Sequence, residues 1–429
     1  MKSILIKPSK LTGKITAPPS KSLSHRAVIC ASLCNDGGTS IIDNVILSED
    51  IEATINGMRQ LGANIRIREK EDKKYCLYIT GGDKIISLNS DSTNPAAKIN
   101  CIESGSTLRF LIPIALAMSK KCTFTGQGKL VERPLNVYYK LFKEQNIIYE
   151  NNNGALPLTV NGSLQGGIYE ISGSVSSQFM SGLFFALPLV SEDSKIIVSD
   201  KLESVGYIDL TLDILKKFNI EIINNDYKEF IIPGNSQYKS TNYTVEGDYS
   251  QAAFFLTAKA IGNDLSCVGL NEHSLQGDRE IINIIESFQK NTSDEIIIDA
   301  SQIPDLVPIL TVLASLKDNK TTKITNAERL RIKESDRLKA IATEMNKLGA
   351  NILELDDGLL IKGQNSLLGK ATVNSWNDHR IAMSLAVAAT KCENEIVLEG
   401  YTAVNKSYPE FWNDYKALGG VINELNMGK

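Results

Sequence analysis

The sequence of 429 residues contains few histidines and no paired cysteine motif. Its three histidines and seven cysteines include no CxxC spacing, so neither a metal site nor a disulfide framework is expected. Reduced thiols of a cytoplasmic protein are the better interpretation. No stretch approaches the roughly 18 consecutive apolar residues of a membrane span, and the N-terminus has no signal-peptide pattern. We therefore expect no membrane partner.

An excess of positive charge is also missing, because the net charge is −4 at pH 7. A chain with this balance has no overall field for nucleic acid, so any anion site must be local. Neither a GxGxxG nor a GxxxxGK[ST] loop occurs, and no cofactor is expected. These absences favour group transfer by electrostatics and positioning over redox chemistry.

The chain does have an internal repeat. A helix-like stretch ends at a small or polar residue and an apolar strand follows, clearest at 61–65 (LGANI) and 348–352 (LGANI). Weaker copies lie at 144–148, 218–222, 418–422 and, weakest, 287–290. With a spacing of roughly 60–85 residues, each unit predicts helix A, a strand, helix B and one or two strands. The expected helix pairs are 21–34 and 49–61, 105–118 and 133–145, 176–190 and 207–218, 249–261 and 278–289, 305–316 and 333–348, and 378–391 and 408–418.

Six such units predict an α/β chain that divides three plus three. Helix A is apolar on all sides in most units, which is typical of a buried helix. The polar segment 235–242 separates units three and four, and the strand at 1–7 precedes unit one and could pair with the second half. We expect one domain over residues 20–245 and another over 1–19 plus 246–429.

Cations stand at several predicted helix starts. Because a helix N-terminus offers free N–H groups and a partial positive charge, a cation within about two turns of it is unfavourable and a bound anion explains it. The alternatives are solvated surface charge and, for serine or aspartate, ordinary helix caps. The cations are Lys21, Arg26, Arg133, Lys333, Arg337, Arg380 and Lys406.

Acid–base candidates lie beside some of these cations. Lys333, crowded by Arg331 and Arg337, is expected to have a lowered pKa and could act as a base. Asp305, at a helix start, could equally be a cap. The other titratable residues nearby are Glu334, Asp378 and His379.

Seven short segments occur in the order found in a known family. They are 20–26 (SKSLSHR), 104–109 (SGSTLR), 132–134 (ERP), 173–179 (GSVSSQF), 245–248 (VEGD), 333–338 (KESDRL) and 377–380 (NDHR). With them the chain resembles the enolpyruvyl transferase family over essentially its whole length, and within it the members that act on shikimate 3-phosphate.

The resemblance implies a two-domain inside-out α/β barrel built from six βαβαββ repeats, three per domain. It implies transfer of the enolpyruvyl group of phosphoenolpyruvate to the 5-hydroxyl of shikimate 3-phosphate, on the route to chorismate and the aromatic amino acids. The expected path is addition and elimination through a tetrahedral ketal phosphate, with release of phosphate. A cytoplasmic monomer whose domains close on the substrates is expected.

Site residues follow from the resemblance by position. Those for shikimate 3-phosphate would be Lys21, Ser22, Arg26, Ser176, Ser177, Gln178, Ser204, Tyr207, Asp305 and Lys333. Those for phosphoenolpyruvate would be Lys21, Gly105, Arg133, Gln178, Arg337, Arg380 and Lys406. The catalytic candidates are Lys21, Asp305, Lys333, Glu334, His379 and Lys406. Asp305 or Lys333 would be the base, and Glu334, Lys406 or His379 would relay the other proton.

Two other functions are open at this stage. The sister enzymes that use UDP-N-acetylglucosamine typically carry a reactive cysteine in the loop before the arginine matched by Arg133. That loop has no cysteine here, and Cys122 lies earlier, in a predicted strand. A non-catalytic anion-binding protein on the same fold would not need the acid–base groups.

The sequence departs from the family pattern at a few positions, none of which removes a charge assigned to catalysis. Glu103 and His25 stand where many members have asparagine. The small Gly105 suggests room for glyphosate, a phosphoenolpyruvate-site inhibitor of the family, so sensitivity is expected.

Overall fold

The computed structural model describes residues 2–82, 96–290 and 293–425. The α-helices of these residues are α1 (Lys21–Leu33), α2 (Glu49–Leu61), α3 (Gly105–Ala117), α4 (Asn136–Glu144), α5 (Ser177–Ala186), α6 (Val205–Lys217), α7 (Tyr249–Ala260), α8 (Ile281–Lys290), α9 (Val307–Ser315), α10 (Arg337–Lys347), α11 (His379–Ala389) and α12 (Phe411–Ala417).

The strands alternate with these helices, which confirms the predicted α/β class. They are β1 (Ser3–Lys7), β2 (Thr12–Thr16), β3 (Ser40–Val45), β4 (Asn64–Glu69), β5 (Tyr75–Thr80), β6 (Ala97–Asn100), β7 (Cys122–Thr125), β8 (Ile148–Asn152), β9 (Ala155–Asn161), β10 (Gly167–Ile171), β11 (Ser194–Val198), β12 (Ile223–Asn225), β13 (Glu229–Ile232), β14 (Asn242–Thr244), β15 (Asp264–Val268), β16 (Glu295–Asp299), β17 (Thr321–Thr325), β18 (Asn351–Leu355), β19 (Gly358–Lys362), β20 (Thr372–Asn374), β21 (Ile396–Glu399) and β22 (Val421–Leu425).

One sheet pattern recurs along the chain. In the order β6-β7-β9-β8, the first two strands are parallel and joined through α3, and the remaining neighbours are antiparallel. The orders β10-β11-β13-β12 and β16-β17-β19-β18 repeat this arrangement. Each of these three sheets comes from one continuous βαβαββ segment, as the family resemblance implies.

Three further sheets are completed by strands that are distant in sequence. Strand β14 pairs in parallel with β3, and β1 pairs antiparallel with both β21 and β22, as expected for the N-terminal strand. Strand β2 pairs in parallel with β15 in a two-stranded sheet. The fourth unit has no antiparallel strand pair of its own in the described residues, because β16, which follows α8, pairs with β17 of the fifth unit.

The chain divides into two compact units. The central unit comprises Pro19–Glu246, and the terminal unit comprises Met1–Pro18 with Gly247–Lys429. Each unit has its own apolar core, which the A helices fill. All nine residues of α9 are buried, as expected for a helix that is apolar on every side.

Helices α3 and α5 of the central unit approach closely at Gly182. A Cβ atom there would lie 2.4 Å from the backbone oxygen of Arg109 and 2.5 Å from Tyr138 Oη, so the packing requires glycine. The Tyr138 hydroxyl donates to the same Arg109 oxygen at 2.6 Å. This contact fixes the turn of α3 that carries Arg109.

Several B helices begin later than predicted. Helix α10 begins at Arg337 rather than at 333, because the Asp336 carboxylate caps it by accepting from Lys339 N at 3.1 Å. Lys333 therefore lies before the helix. Helix α4 begins at 136 rather than at 133, so Arg133 also precedes its helix. Helix α12 begins at 411 rather than at 408, and Lys406 lies before it, as the sequence predicts.

Candidate functional site

In the central unit, the first residue of α1 is a lysine that forms an ion pair with an aspartate. Lys21 Nζ donates to Asp50 Oδ2 at 2.9 Å, and the two side chains are 17% and 12% exposed. Ser20 caps the helix, since its hydroxyl accepts from the backbone N–H of Leu23. An ion pair that is partly accessible can be exchanged for contacts to a ligand.

Arg26 lies one turn further along α1 and is almost fully buried. Its Nε donates to Thr211 Oγ1 at 2.8 Å, and its Nη atoms donate to the carbonyl oxygens of Ser22 at 2.9 Å and Tyr207 at 3.0 Å. Its guanidinium also lies 5.4 Å from the ring centre of Phe110. Burial lowers the pKa of Arg26 to about 10, because the partners described are neutral.

Two arginines converge on Gly105 at the start of α3. A Cβ atom on Gly105 would lie 2.7 Å from Arg133 Nη1 and 2.8 Å from Arg109 Nη1. Both arginines are less than a tenth exposed, at 8% and 6%. Gln178 Oε1 accepts from Arg109 Nη1 at 2.9 Å, while Gln178 Nε2 donates to Ser106 Oγ at 3.0 Å. The structure thus brings together the predicted Gly105, Arg133 and Gln178.

Arg109 received no role from the sequence, although it belongs to this group. A cation inside an all-apolar helix is the signal that could have found it, because a buried charge needs partners. Its guanidinium also lies 5.1 Å from the ring centre of Phe179.

The serines predicted to contact substrate surround two other helix starts of the central unit. Ser176 caps α5 by accepting from Gln178 N at 3.3 Å, and Ser177 is buried. Ser204 precedes α6 in a left-handed conformation with φ 57°, and its carbonyl accepts from Tyr207 N. These hydroxyls therefore lie where backbone N–H groups also point outward.

A buried chain of hydrogen bonds links three helices of the central unit. His25 Nδ1 lies 2.7 Å from Thr54 Oγ1, which lies 2.7 Å from Thr107 Oγ1. Thr107 Oγ1 in turn donates to Ser104 Oγ, the cap of α3, at 2.7 Å. Burial, with Lys21 and Arg26 nearby, lowers the pKa of His25 well below its usual value, so the imidazole is neutral. The chain connects α1 and α2 to the residue before Gly105.

In the terminal unit, one arginine forms ion pairs with three carboxylates. Arg337, 1% exposed, donates through Nη1 to Asp305 at 2.8 Å, through Nη2 to Glu334 at 2.6 Å and through Nε to Asp378 at 2.8 Å. Burial alone would lower the pKa of Arg337, but Asp378, Glu334 and Asp305 together raise it well above its usual value. This guanidinium is permanently charged and fixed on every side.

Asp305 joins this arginine to a second one. Arg380 Nη2 lies 3.1 Å from Asp305 Oδ2, and its Nη1 donates to the Asp305 carbonyl at 3.0 Å. Asp378 caps α11 by accepting from Arg380 N at 2.9 Å. Asp305 lies within the 3₁₀ turn Pro304–Leu306, whose N-cap is Ile303, and its carboxylate pairs with both arginines.

The remaining catalytic candidates of the terminal unit adjoin this pair. Lys406 Nζ, buried, donates to the carbonyl of Asn377 at 2.6 Å. His379 is buried beside Asp378, with 3.9 Å between its Nδ1 and the carboxylate. The acid–base candidates of the terminal unit therefore lie close to the arginine pair. They form one cluster with it, which comprises Asp305, Lys333, Glu334, Arg337, Asp378, His379, Arg380 and Lys406.

Lys333 has the lowered pKa that the sequence predicts. Burial lowers it to about 8, and the charge of Arg329 adds to this while Asp305 opposes it. The expected neighbour Arg331 instead pairs with Asp336 at 3.0 Å and Glu354 at 2.6 Å. The shift therefore comes mainly from desolvation rather than from crowding by Arg331.

Asp278 is a member of this region that sequence reasoning missed. It is 4% exposed, and its carboxylate accepts a hydrogen bond from the Ser250 hydroxyl. Burial, and then the charge of Asp305, raises the pKa of Asp278 well above its usual value. In the sequence it precedes a helix and resembles an ordinary cap. Only its burial marks it as unusual, and burial cannot be seen in the sequence.

Comparison with known proteins decides the family. A sequence profile described as EPSP synthase (3-phosphoshikimate 1-carboxyvinyltransferase) matches residues 5–415. The chain belongs to the EPSP synthase family. A protein from Clostridium novyi (strain NT) named 3-phosphoshikimate 1-carboxyvinyltransferase is 52% identical over 446 residues, which span all of both chains. One of the same name from Clostridioides difficile (strain 630) is 50% identical over 442 residues, again across both chains.

A solved EPSP synthase structure shows the same fold. The enzyme from Acinetobacter baumannii superimposes with a TM-score of 0.78 and 22% identity, covering 99% of this chain and 100% of its own. Membership of the EPSP synthase family makes the chain an enolpyruvyl transferase of the shikimate pathway of aromatic amino acid biosynthesis. Across residues 2–82, 96–290 and 293–425, no helix is long and apolar enough to cross a bilayer, and no cluster of histidine, cysteine and acidic residues could hold a metal ion.

Replacing Thr54 by valine is expected to destabilise the central unit. Valine keeps the shape but leaves His25 Nδ1 and the Thr107 hydroxyl without the atom between them, which costs about 1–3 kcal/mol in the free energy of unfolding. Urea denaturation measures the change. Thr54→Ser is the control, because it loses only a methyl group, about 1 kcal/mol, and keeps the hydroxyl. A serine variant less stable than the valine variant would contradict the hydrogen-bonded chain.

Proposed function

We propose that the chain transfers the enolpyruvyl group of phosphoenolpyruvate to the 5-hydroxyl of shikimate 3-phosphate and that the two described clusters carry out this reaction. The observation that carries the proposal is the pair Arg337 and Arg380, buried at helix starts and joined by Asp305. Planar guanidinium groups suit contacts to carboxylate and phosphate, and a bound anion would take over N–H donors that now bind Asp305 and Glu334.

The substrate contacts that we propose follow the family resemblance by position. We assign shikimate 3-phosphate to Lys21, Ser22, Arg26, Ser176, Ser177, Gln178, Ser204, Tyr207, Asp305 and Lys333. We assign phosphoenolpyruvate to Lys21, Gly105, Arg133, Gln178, Arg337, Arg380 and Lys406. The convergence of Arg133 and Arg109 at Gly105 supports the second assignment, because no side chain at Gly105 blocks the two guanidinium groups.

Lys333 is the proposed base. A base works best when its pKa lies near the working pH, and burial brings Lys333 to about 8. The Asp305 carboxylate already accepts from two arginines, so it is better suited to orienting them. Lys333 takes the 5-hydroxyl proton while the oxygen attacks the central carbon of phosphoenolpyruvate.

An acid must protonate the methylene carbon in the same step. Glu334, Lys406 and His379 are the groups of the terminal unit that could deliver this proton. The product is a tetrahedral ketal phosphate with a new methyl group. Loss of one methyl proton and cleavage of the carbon–oxygen bond to phosphate then restore the enol ether and release phosphate, and the arginines stabilise the departing charge.

The organisation of the active protein is also a proposal. We propose that the central and terminal units are its two domains, with three repeats each, and that it works as a cytoplasmic monomer. The compactness of each unit supports the first statement. The second rests on the family resemblance, and light scattering after size-exclusion chromatography tests the monomer.

Phosphate release from phosphoenolpyruvate is the direct test of the function. With shikimate 3-phosphate as acceptor we expect turnover, and with UDP-N-acetylglucosamine none. Turnover with the second acceptor alone would assign the chain to the sister activity. Binding of both substrates of the first reaction without turnover would instead support the non-catalytic alternative.

The pH profile tests Lys333 as the base. Because the neutral amine is the active form, kcat/KM for shikimate 3-phosphate should rise about tenfold per pH unit and level off above the pKa of about 8. Lys333→Arg keeps a cation but cannot accept the proton, so kcat should fall roughly 100-fold or more while shikimate 3-phosphate still binds. Lys339→Met, an exposed site on α10, is the control. Near-normal kcat in Lys333→Arg would reduce Lys333 to a binding role.

Gly105→Ala tests the phosphoenolpyruvate assignment. The added methyl group would lie 2.7 Å from Arg133 Nη1 and 2.8 Å from Arg109 Nη1, so both guanidinium groups must shift. We expect KM for phosphoenolpyruvate to rise roughly tenfold, with a smaller change for shikimate 3-phosphate. Wild type should be sensitive to glyphosate, and the inhibition constant should rise further than KM in the variant. An unchanged KM for phosphoenolpyruvate would remove Gly105 from that site.

A further inference from the structure

The loop that leads into α11 has an unusual backbone. Trp376 and Asn377 both adopt left-handed conformations, with φ 53° and 54°. A positive φ is uncommon outside glycine and asparagine, and for a bulky residue it is a genuine outlier. Such strain persists only where the surrounding structure enforces it. Asp378, the cap of α11 and partner of Arg337, follows directly.

A buried carboxylate from another helix holds this loop. Glu344, on α10, is 1% exposed. Its Oε1 accepts from the indole Nε1 of Trp376 at 2.7 Å, and its Oε2 accepts from the backbone N–H of Asn374 at 3.0 Å. Lys347 reaches the same carboxylate from the solvent side, at 2.8 Å and 3.0 Å. One side chain therefore ties together the first residue of the loop and its most strained one.

Helix α10 also contacts the far end of the loop. Arg337, two turns before Glu344 and so on the same face, donates to Asp378. The loop also bonds to the end of β21, because Ser375 N donates to Glu399 O at 3.0 Å, Asn374 Nδ2 donates to Glu399 Oε2 at 3.1 Å and Ser375 Oγ donates to Gly400 O at 2.9 Å. Within the loop, Asn374 Oδ1 accepts from Trp376 N at 2.6 Å. The loop is thus clamped to α10 at both ends.

The shape of the loop sets two contacts of the cluster described above. The carbonyl of Asn377 accepts from Lys406 Nζ at 2.6 Å. Asp378 accepts from Arg337 Nε at 2.8 Å and from Arg380 N at 2.9 Å. A loop that relaxed to right-handed backbone at 376 and 377 would turn this carbonyl and this carboxylate away from their partners.

We propose that Glu344 is a positioning residue for phosphoenolpyruvate. By binding Trp376 and Asn374 it keeps the left-handed pair in place, and this orients Lys406, Arg337 and Arg380. The ligand named here rests on the proposed function, whereas the link from Glu344 to the loop does not. The side chain at this position must offer two acceptors, because both Glu344 oxygens accept from N–H donors of the loop.

The test combines fluorescence and kinetics in Glu344→Gln. Glutamine can still accept from the indole, but its NH₂ group would face the Asn374 N–H, so the bridge fails at one end. The chain has two tryptophans, so a Trp412→Phe background isolates the emission of Trp376. We expect an altered emission maximum and a roughly tenfold higher KM for phosphoenolpyruvate, with kcat within about threefold.

Two further variants make the result decisive. Lys347→Met removes the third donor to the same carboxylate and touches no loop atom, so it should change neither emission nor KM. Trp376→Phe keeps an aromatic ring without the donor. It should raise KM by itself and reduce the effect of Glu344→Gln in the double mutant, since each variant breaks one end of the same bridge between α10 and the loop. It also keeps the test available should Glu344→Gln not fold.

Each outcome separates this inference from the proposed function. Altered emission with unchanged KM in Glu344→Gln, or equal effects of Glu344→Gln and Lys347→Met, would overturn the positioning role. Additive effects of Glu344→Gln and Trp376→Phe would also overturn it. Absence of turnover in wild type would reject the proposed function instead. In that case, a Glu344-dependent change in Trp376 emission would still support the structural link, and unchanged emission would refute it.

Discussion

The burial of positive charge at helix starts is the constraint on which both clusters depend. The helix dipole already makes these positions unfavourable for a cation, and removal from water adds to the cost. The central unit surrounds Arg26 with carbonyl and hydroxyl oxygens and an aromatic ring. The terminal unit surrounds Arg337 with three carboxylates. The cost of burying an arginine is therefore offset by neutral oxygens and a ring in one unit and by carboxylates in the other.

These two solutions have different chemical consequences. An arginine with neutral partners keeps an uncompensated charge, which lowers its pKa and favours a nearby anion. An arginine with three carboxylates attracts an anion less strongly, but its orientation is fixed before any ligand arrives. Preorganised donors of this second kind stabilise charge that develops during a reaction. This fits the presence of Asp305, Glu334, His379 and Lys333 in the terminal unit and of the predicted serine contacts in the central unit.

Much of the fold could be predicted because the repeat is carried by local patterns. Apolar A helices, amphipathic B helices and the phrase at 61–65 and 348–352 are visible without tertiary information, and so is the surplus strand β1. Exact helix starts were less accessible. Both Ser335 and Asp336 are good capping residues, and only the structure shows that Asp336 accepts from Lys339 N.

Sequence alone could single out residues of the candidate site where a cation stands at a helix start, which the helix dipole disfavours. It could not single out residues that are notable only because they are buried. Lys21, Arg337 and Arg380 oppose the helix dipole, so sequence alone singles them out. Asp278 and Glu344 break no such rule, because an acidic residue before or on an amphipathic helix is ordinary. Only their exclusion from water, at 4% and 1% exposure, makes them notable.

The same reasoning explains why Cys122 is not a reactive thiol. Cys122 is fully buried in β7, and desolvation raises its pKa to about 12, so the reactive thiolate is not populated near neutral pH. The 3₁₀ turn at Gly128–Glu132, directly before Arg133, holds no cysteine. The proton transfers that we propose are assigned to oxygen and nitrogen groups. Among these, burial moves the pKa values of Lys333 and Asp278 toward neutrality, and both residues lie in the terminal unit, which favours Lys333 as the base that we propose.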